Sequence, residues 1–372
     1  MTRGSAKAEP LRYKVSKSVL RKDVVNISLK VDMNDIDSEQ IEKSAGGLSK
    51  EHYPVMLKEA LDLLDLRPGL TYVDATAGAG GHLAGIVEAT DGKSKVVAFD
   101  QDLNTLSRLS ERFGDKVTLI HSNFRYLKAA LAKYDINTVD GGIIADLGVS
   151  SMQIDQPHRG FSFQKDGPLD MRMDTSQKLT ASDIVNHWSE EDIANIIFEY
   201  GEERHSRKIA RRIVEHRPIN STLELSAIVA RCLAPLTDNK NKKNRRKNFS
   251  LAGGGTKSGI HPATRTFQAL RMAVNAELDS LTEFLQEASL VLKPGARLVV
   301  ITFHSLEDRV VKQFFKTAAQ SCICPPRVPL CQCHKTVDFL TITRKPITAS
   351  EEELLANTRS RSAKLRAGQK LN

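Results

Sequence analysis

The chain lacks any hydrophobic run that approaches the roughly 20 apolar residues needed to cross a membrane. It also lacks an apolar segment near its start of the kind that a secretory signal requires. No internal repeat is visible, and cysteine is scarce, at five of 372 residues. With 40% hydrophobic and 27% charged residues, the composition predicts a soluble globular protein with one large or two ordinary domains.

Acidic residues are missing from the most basic segments. Six Lys/Arg residues lie between Lys240 and Lys247, and five lie between Arg359 and Lys370, with no acid in either segment. Residues 1–22 carry seven basic residues against one acid, and the net charge of the chain is +9. Clustered positive charge favours an acidic partner, most simply nucleic acid. A basic tail without a specific partner is the alternative.

A third glycine is missing from the glycine-rich turn after the first predicted strand. The turn covers Gly78–His82, and Leu83 stands where the dinucleotide motif G-x-G-x-x-G requires glycine. The nearby Asp74 would repel a pyrophosphate but could orient an ammonium group. S-adenosylmethionine combines adenosine, a sulfonium and an amino-acid tail, so it is the predicted ligand. A glycine-rich turn without a ligand is the alternative.

Strands alternate with helical patterns in two parts of the chain, which predicts a parallel sheet with helices on both faces. Between those parts lie a polar loop at 152–178 and helical segments near 189–200, 204–216 and 222–233. Apolar spacing from Phe267 to Leu292 predicts one long helix. The predicted strands are 71–76, 95–100, 117–122, 140–146, 297–303 and 338–343.

This pattern divides the chain into four predicted parts. Residues 1–50 are expected to form a disordered or transit-like extension. Residues 51–151 together with 261–350 are expected to form the ligand-binding α/β domain, and 152–260 a helical insertion that binds substrate. Residues 351–372 are expected to form a basic C-terminal tail.

Three residues mark the edge where the predicted parallel strands end, which is where open sheets bind ligands. Asp100 is the candidate for the ribose hydroxyls, and Phe124 for covering an adenine ring. Asp146 lies where a methyl donor and acceptor would meet. Each also has a structural alternative, since the carboxylates could cap helices and Phe124 could belong to the core. His304, after a later strand, could be a general base, an RNA contact or a structural histidine.

Four of the five cysteines follow the pattern C-x-C-x6-C-x-C, at Cys322, Cys324, Cys331 and Cys333. Four thiolates this close could hold zinc. The spacing is tighter than the usual C-x-x-C of zinc sites, and a proline-rich turn with reduced thiols is the alternative. No metal is predicted to take part in the chemistry.

From His52 to Arg366 the chain resembles the RsmH/MraW family of methyltransferases. The motifs that carry the resemblance are Asp74 with Gly78-x-Gly80-Gly81-His82, Asp146-Leu-Gly-Val-Ser-Ser-x-Gln153, Arg159-Gly-Phe-Ser, Gly167-Pro-Leu-Asp-Met-Arg-Met, Thr266-Phe-Gln-Ala-Leu-Arg271, Phe303-His-Ser-Leu-Glu-Asp-Arg309 and Ser360-Arg-Ser-Ala-Lys-Leu-Arg366. The resemblance implies an α/β class I (Rossmann-like) methyltransferase fold with a helical insertion domain. It implies transfer of a methyl group from S-adenosylmethionine to N4 of a cytidine in the decoding region of small-subunit ribosomal RNA.

The resemblance also assigns the cofactor contacts by position. They fall on Gly80, Gly81, His82, Asp100, Phe124, Asp146 and Gln153. Asp146 is the candidate catalytic residue, because a hydrogen bond to the amine would localise its lone pair. The expected partner is small-subunit rRNA or the small ribosomal subunit, with no membrane and with the oligomeric state left open.

Two further expectations depend on the resemblance. A non-catalytic rRNA-binding assembly factor is the alternative function. Bacterial members are cytoplasmic and eukaryotic relatives resemble organellar enzymes. The basic extension therefore favours a mitochondrion or plastid, with the bacterial cytoplasm as the alternative.

Overall fold

The computed structural model describes residues 54–148, 154, 156–234, 261–325 and 330–372. The predicted extension over 1–50, the cofactor candidate Gln153 and the Lys240–Lys247 cluster lie outside the described residues. The predicted cellular location depends on that extension and stays a prediction. None of the helices in the described part has both the length and the apolar character that a bilayer crossing needs.

Strands and helices alternate along the described chain much as predicted. The strands are β1 (Thr71–Asp74), β2 (Lys95–Asp100), β3 (Val117–His121), β4 (Gly142–Asp146), β5 (Arg297–Thr302), β6 (Phe339–Thr341), β7 (Ile347–Thr348) and β8 (Lys364–Lys370). The helices are α1 (Leu57–Leu64), α2 (Gly81–Ala89), α3 (Leu103–Phe113), α4 (Leu127–Ala132), α5 (Ala181–His187), α6 (Glu190–Glu199), α7 (Ser206–Glu215), α8 (Thr222–Leu233), α9 (Thr264–Val274), α10 (Glu277–Val291), α11 (Ser305–Ala318) and α12 (Glu351–Ala356).

The strands form one sheet in the order β3-β2-β1-β4-β5-β8-β6, with β7 paired to β8. Strands β1 to β5 are parallel, and β8 is antiparallel to β5. The carboxyl ends of β1, β2 and β4 therefore lie along one edge, where Asp74, Asp100 and Asp146 are the last residues. This arrangement is the predicted class I α/β fold.

Apolar side chains leave the central strands on both faces, because successive residues of a strand point to opposite sides. Val73 and Ile143 pack into the core on one face of the sheet. Their neighbours Tyr72 and Ile144 pack into the core on the other face. A sheet buried on both faces needs nearly continuous apolar strands, which explains why β1, β2, β4 and β5 could be recognised in the sequence.

The last strand differs from the predicted C-terminal tail. Residues 364–370 form β8, which lies inside the sheet between β5 and β6. Leu365 and Ala367 are fully buried, and the guanidinium of Arg366 pairs with Asp308 at 2.7 Å. The strand was not predicted because its basic residues resemble those of an exposed tail. Arg366 can be buried here because Asp308, distant in sequence, neutralises it.

The predicted long helix is two helices, because the chain turns sharply at Asn275 and Ala276. Ala276 has φ of 46°, a left-handed conformation that a continuing α-helix cannot contain. The Asn275 amide stabilises the turn by donating to the carbonyls of Met171 and Arg271 and accepting from the Met173 N–H. A helix-period pattern of apolar residues continues across this break, so the spacing alone did not reveal it.

Helices α5 to α9 build a second apolar core beside the sheet. Helix α9 belongs to this layer, so the helical region extends beyond the predicted boundary at residue 260. Arg159 attaches the layer to the sheet: its buried guanidinium pairs with Asp102 at 2.7 Å and donates to the Arg172 and Met173 carbonyls. Arg159 is therefore a structural link in this fold.

Candidate active site

A cavity of about 630 Å³ separates the carboxyl ends of the strands from the helical layer. One wall contains the ends of β1, β2 and β4, and we call it the strand-end wall. The rest of the lining, which we call the helical wall, contains residues of α9, of the start of α10 and of the turn between β5 and α11. Ligand-binding pockets commonly occupy about 300–1,000 Å³, so the cavity is large enough for a nucleoside and its substituents.

The glycine turn lets the chain pass from β1 into α2 beside this cavity. Gly78 and Gly80 have φ of 50° and 77°, which favours glycine at both positions. The Gly78 N–H donates to Asp100 at 3.0 Å, and Gly81 lines the cavity. Gly80 is not among the cavity-lining residues; a Cβ on it would meet Leu109 at 2.6 Å. In this structure Gly80 serves close packing against α3.

Two carboxylates at the strand ends have an oxygen without a partner among the described residues. Asp74 accepts from the Thr76 N–H through Oδ1 at 3.0 Å, and the Thr76 hydroxyl oxygen accepts from the Asp146 N–H at 2.6 Å. Asp74 Oδ2 and Asp146 Oδ1 are buried and make no hydrogen bond. Buried polar atoms are normally satisfied, so these two oxygens mark the place where a ligand would bind.

Burial is the main cause of raised pKa values along the strand-end wall. It raises the pKa of Asp74 to about 7, with a further contribution from the Asp100 charge. It raises the pKa of Asp100 to about 6, although the Asp102 and Gly78 N–H groups oppose the shift. Burial and then the charges of Asp74 and Glu307 raise the pKa of Asp146 well above its ordinary value. A cationic ligand would favour the ionised form of all three carboxyls.

His82 and Phe124, both predicted to contact the cofactor, line the cavity. Burial lowers the pKa of His82 to about 4, so its ring is neutral at neutral pH. Its Nε2 donates to the Val55 carbonyl at 3.0 Å, and Nδ1 lies 3.9 Å from Asp146. Phe124 packs edge-on against Phe284 with ring centroids 5.2 Å apart, so it meets both the cavity and the core.

The carboxylates of the helical wall already have partners. Arg271 and Glu277 form a bidentate pair at 2.8 and 2.9 Å, with both side chains mostly buried. Glu307 accepts from the Phe303 N–H, and its carboxylate lies 3.0 Å from His304 Nε2. Burial alone would raise the pKa of Glu307, but the His304 imidazole, the Phe303 N–H and the Arg271 charge lower it overall.

Three side chains of that wall have the composition of a metal site. Ligand atoms of Glu277, His304 and Glu307 lie within 4.8 Å of one another. However, Arg271 already holds both oxygens of Glu277, and His304 and Glu307 form a capping box at the start of α11. This arrangement favours a structural network, with His304 as a helix cap, over a metal centre.

The structure brings together most of the residues predicted for the site. Some residues that hold them in place were not predicted. Asp100, Asp146, Gly81, His82 and Phe124 all line one cavity. Thr76 was missed, although a hydroxyl two residues after a strand-ending carboxylate could have been noticed. The Arg271–Glu277 pair was missed because it spans the unexpected helix break.

Comparison with known proteins gives a consistent result. The model of the MraW methylase family matches residues 49–371. The ribosomal RNA small subunit methyltransferase H of Syntrophotalea carbinolica is 48% identical over 327 residues, covering 86% of this chain and 98% of that protein. The proteins of the same name from a Paenibacillus species and from Carboxydothermus hydrogenoformans are each 46% identical, and each pairing covers 86% of this chain and 99% and 98% of the respective relative.

Proposed function

Because the chain belongs to the MraW methylase family, we propose that it methylates the N4 amine of a cytidine in the decoding region of small-subunit ribosomal RNA. The coarser activity follows from membership: the chain is an S-adenosylmethionine-dependent methyltransferase of small-subunit rRNA. The base, the atom and the region of the rRNA are the proposal. Its main support is the unpartnered Oδ1 of Asp146, buried at the edge of the cavity.

The strand-end wall fits the cofactor group by group. S-adenosylmethionine supplies an electrophilic methyl group on a positively charged sulfur. Asp74 and Asp146 offer buried, unpartnered carboxyl oxygens to its cationic groups. Asp100, at the end of β2, suits two ribose hydroxyls, and Phe124 offers an aromatic face to adenine. Carboxylates this close together would repel a pyrophosphate, whereas S-adenosylmethionine carries no phosphate.

Asp146 also has the properties needed to act on an exocyclic amine. The lone pair of the cytosine N4 is delocalised into the ring, and its two N–H groups are donors. A carboxylate that accepts one of them localises the lone pair and holds the nitrogen in line with the methyl group. The Thr76 hydroxyl supports this role by fixing the Asp146 backbone at 2.6 Å. We propose Asp146 as the catalytic residue and no metal in the reaction.

The substrate cytidine must be unpaired and turned outward to enter a cavity of this kind. Helix α7 belongs to the helical layer, and its exposed face carries Arg207, Lys208, Arg211 and Arg212. Three of these four already contact Cys232, Glu190 or Glu215 within the chain. We propose that this face contacts RNA phosphates, whereas Arg366 in β8 is internal and is not available for them.

The test is methyl transfer from labelled S-adenosylmethionine to small ribosomal subunits that lack the modification, followed by nucleoside analysis and mapping of the labelled fragment. We expect N4-methylcytidine in the decoding region. Label in another nucleoside, or outside that region, would contradict the proposal. If the protein binds the cofactor but the rRNA stays unlabelled, the result would instead support a non-catalytic assembly factor.

The RNA-contacting face has its own test. Binding to small subunits should weaken as salt rises, with a logarithmic slope of about 0.7–0.9 per phosphate contact. Replacing Arg207 and Arg211 by Gln should reduce that slope, whereas Lys93→Gln, two residues before β2, should leave it unchanged. An equal slope for all three proteins would exclude α7 from the interface.

A further inference from the structure

Four cysteine sulfurs meet outside the active-site cavity. They belong to Cys322, Cys324, Cys331 and Cys333, which lie in the connection between α11 and β6. All four sulfurs lie within 4.8 Å of one another, and none of the four residues lines the cavity. The methyl-transfer proposal does not use them.

The distances between the sulfurs are those of ligands around one metal ion. Cys331 lies 3.5 Å from both Cys322 and Cys333, and Cys333 lies 3.8 Å from Cys322. Cys324 lies 3.9 Å from Cys331. A tetrahedron with zinc–sulfur bonds of about 2.3 Å has edges of about 3.8 Å. A disulfide requires about 2.05 Å, and all four cysteines are free.

Hydrophobic packing does not explain why these sulfurs converge. Unligated cysteines are usually buried like small apolar residues. Here Cys322 and Cys331 are exposed, and Cys324 and Cys333 are half-buried. Their apolar neighbours Ile323 and Leu330 are 56% and 77% exposed. No apolar core holds this part of the described chain, so another force must hold the thiols together.

The backbone around the two C-x-C pairs already points at the sulfurs. The Ile323 N–H donates to Cys333 at 3.4 Å, and the Gln332 N–H donates to Cys324 at 3.5 Å. A third bond runs within one pair, from the Cys324 N–H to Cys322 at 3.4 Å. Such bonds stabilise negatively charged sulfur and orient it, as outer hydrogen bonds do around metal ligands.

We propose that Cys322, Cys324, Cys331 and Cys333 bind one zinc ion that holds together the connection between α11 and β6. The ends of that connection already meet, since the Asp338 N–H donates to the Ala318 carbonyl at 2.9 Å. Four protein ligands leave no open position, which is typical of structural rather than catalytic zinc. The ion would secure the approach to β6, which pairs with β8 at the edge of the sheet.

The test uses the full chain, produced with zinc available and purified under reducing conditions. Elemental analysis should find about one zinc per chain, and removal of the metal should lower the melting temperature. Cobalt added to the metal-free protein should give the intense visible bands of tetrahedral thiolate coordination. The double variant Cys322→Ser/Cys331→Ser should lose both signals, whereas Cys232→Ala, in the core of the helical layer, should keep them.

Several results would overturn the proposal. One is a reduced chain without metal that gives no cobalt spectrum, and another is a double variant that retains zinc. Iron in the same site would overturn the choice of zinc, and paired disulfides in the freshly purified chain would exclude the metal. If the double variant does not fold, the cobalt titration of the unaltered chain still decides. None of these results depends on methyl transfer.

Discussion

The two walls of the cavity differ in whether their buried carboxylates have partners. On the strand-end wall, Asp74 and Asp146 each have an oxygen without a partner among the described residues, and their pKa values are raised. On the helical wall, Glu277 pairs with Arg271. Glu307 lies at the start of α11 beside His304, and its pKa is lowered. The carboxylates of the strand-end wall are therefore incompletely partnered, and those of the helical wall are partnered.

This difference separates ligand binding from support. A buried carboxyl without a cation costs stability unless it stays protonated, so the strand-end wall is suited to a positively charged ligand. The carboxylates of the helical wall need no ligand as a partner, so this wall can hold the shape of the cavity. Substitutions on the first wall should alter chemistry and binding, and those on the second should alter stability.

The largest expected effect comes from breaking the pair in the helical wall. Arg271→Met leaves the Glu277 carboxylate buried without its bidentate partner. Losing one member of a buried ion pair commonly costs about 3–5 kcal/mol, and we expect a fall of that size in the free energy of unfolding measured with denaturant. The double variant Arg271→Met/Glu277→Leu removes both charges and should recover most of the loss. If the double variant is as unstable as the single one, the pair is not the cause.

The next largest expected effect comes from replacing the proposed catalytic residue of the strand-end wall. Asp146→Ala should slow methyl transfer at saturating cofactor by about 10²–10³-fold, the usual cost of removing one hydrogen-bonding group from a transition state. Stability should change little, because Asp146 Oδ1 has no hydrogen bond to lose. Single-turnover rates on small subunits provide the measurement.

Two variants control this experiment. Asp146→Asn keeps a carbonyl acceptor without the charge, so its rate of methyl transfer should lie between those of Asp146→Ala and the unaltered chain. Asp115→Ala alters an exposed carboxylate that does not line the cavity and should leave the rate unchanged. Full turnover by folded Asp146→Ala would remove the catalytic role.

A smaller expected effect is the pH dependence of cofactor binding to the strand-end wall. The raised pKa values, about 7 for Asp74 and about 6 for Asp100, mean that these carboxyls are protonated at lower pH and ionise as pH rises. A cation binds the ionised form, so affinity for S-adenosylmethionine should rise with pH by up to about tenfold per unit below the pKa. Binding should also release protons, which calorimetry in buffers of different ionisation enthalpy measures.

The matched ligand for this prediction is S-adenosylhomocysteine, whose sulfur is uncharged. Its affinity should depend less on pH, and Asp74→Asn should reduce the dependence for S-adenosylmethionine. Equal pH profiles for the two ligands would show that the sulfonium charge does not couple to these carboxyls.

The sequence predicted the strand-end wall far better than the helical wall, for a physical reason. Buried parallel strands such as Gly142–Asp146 read as apolar runs, and the polar residue that ends each run marks the site. Helix α5 was missed, although Thr180 and Asp183 form a capping box that can be read from sequence. Strand β8 was concealed because Arg366 in its centre is neutralised by Asp308.

The supports of the helical wall depend on contacts that no local pattern encodes. Arg271 meets Glu277 only because Ala276 adopts a left-handed conformation between them, and neither glycine nor proline marks that break. The cysteine site illustrates the same limit. The spacing left both zinc and a reduced proline-rich turn open, and only the distances among the four sulfurs favour the metal.

The smallest expected effect tests whether His304 belongs to the supporting wall. Its ring accepts from the Glu307 N–H as the cap of α11, and losing a cap costs about 1 kcal/mol. His304→Ala should therefore lower the free energy of unfolding by that amount. His304→Asn should retain both stability and the pH profile of methyl transfer, since asparagine caps helices well but cannot act as a general base. If the folded Asn variant loses transfer while its stability is intact, His304 acts in the chemistry, and the helical wall contributes more than support.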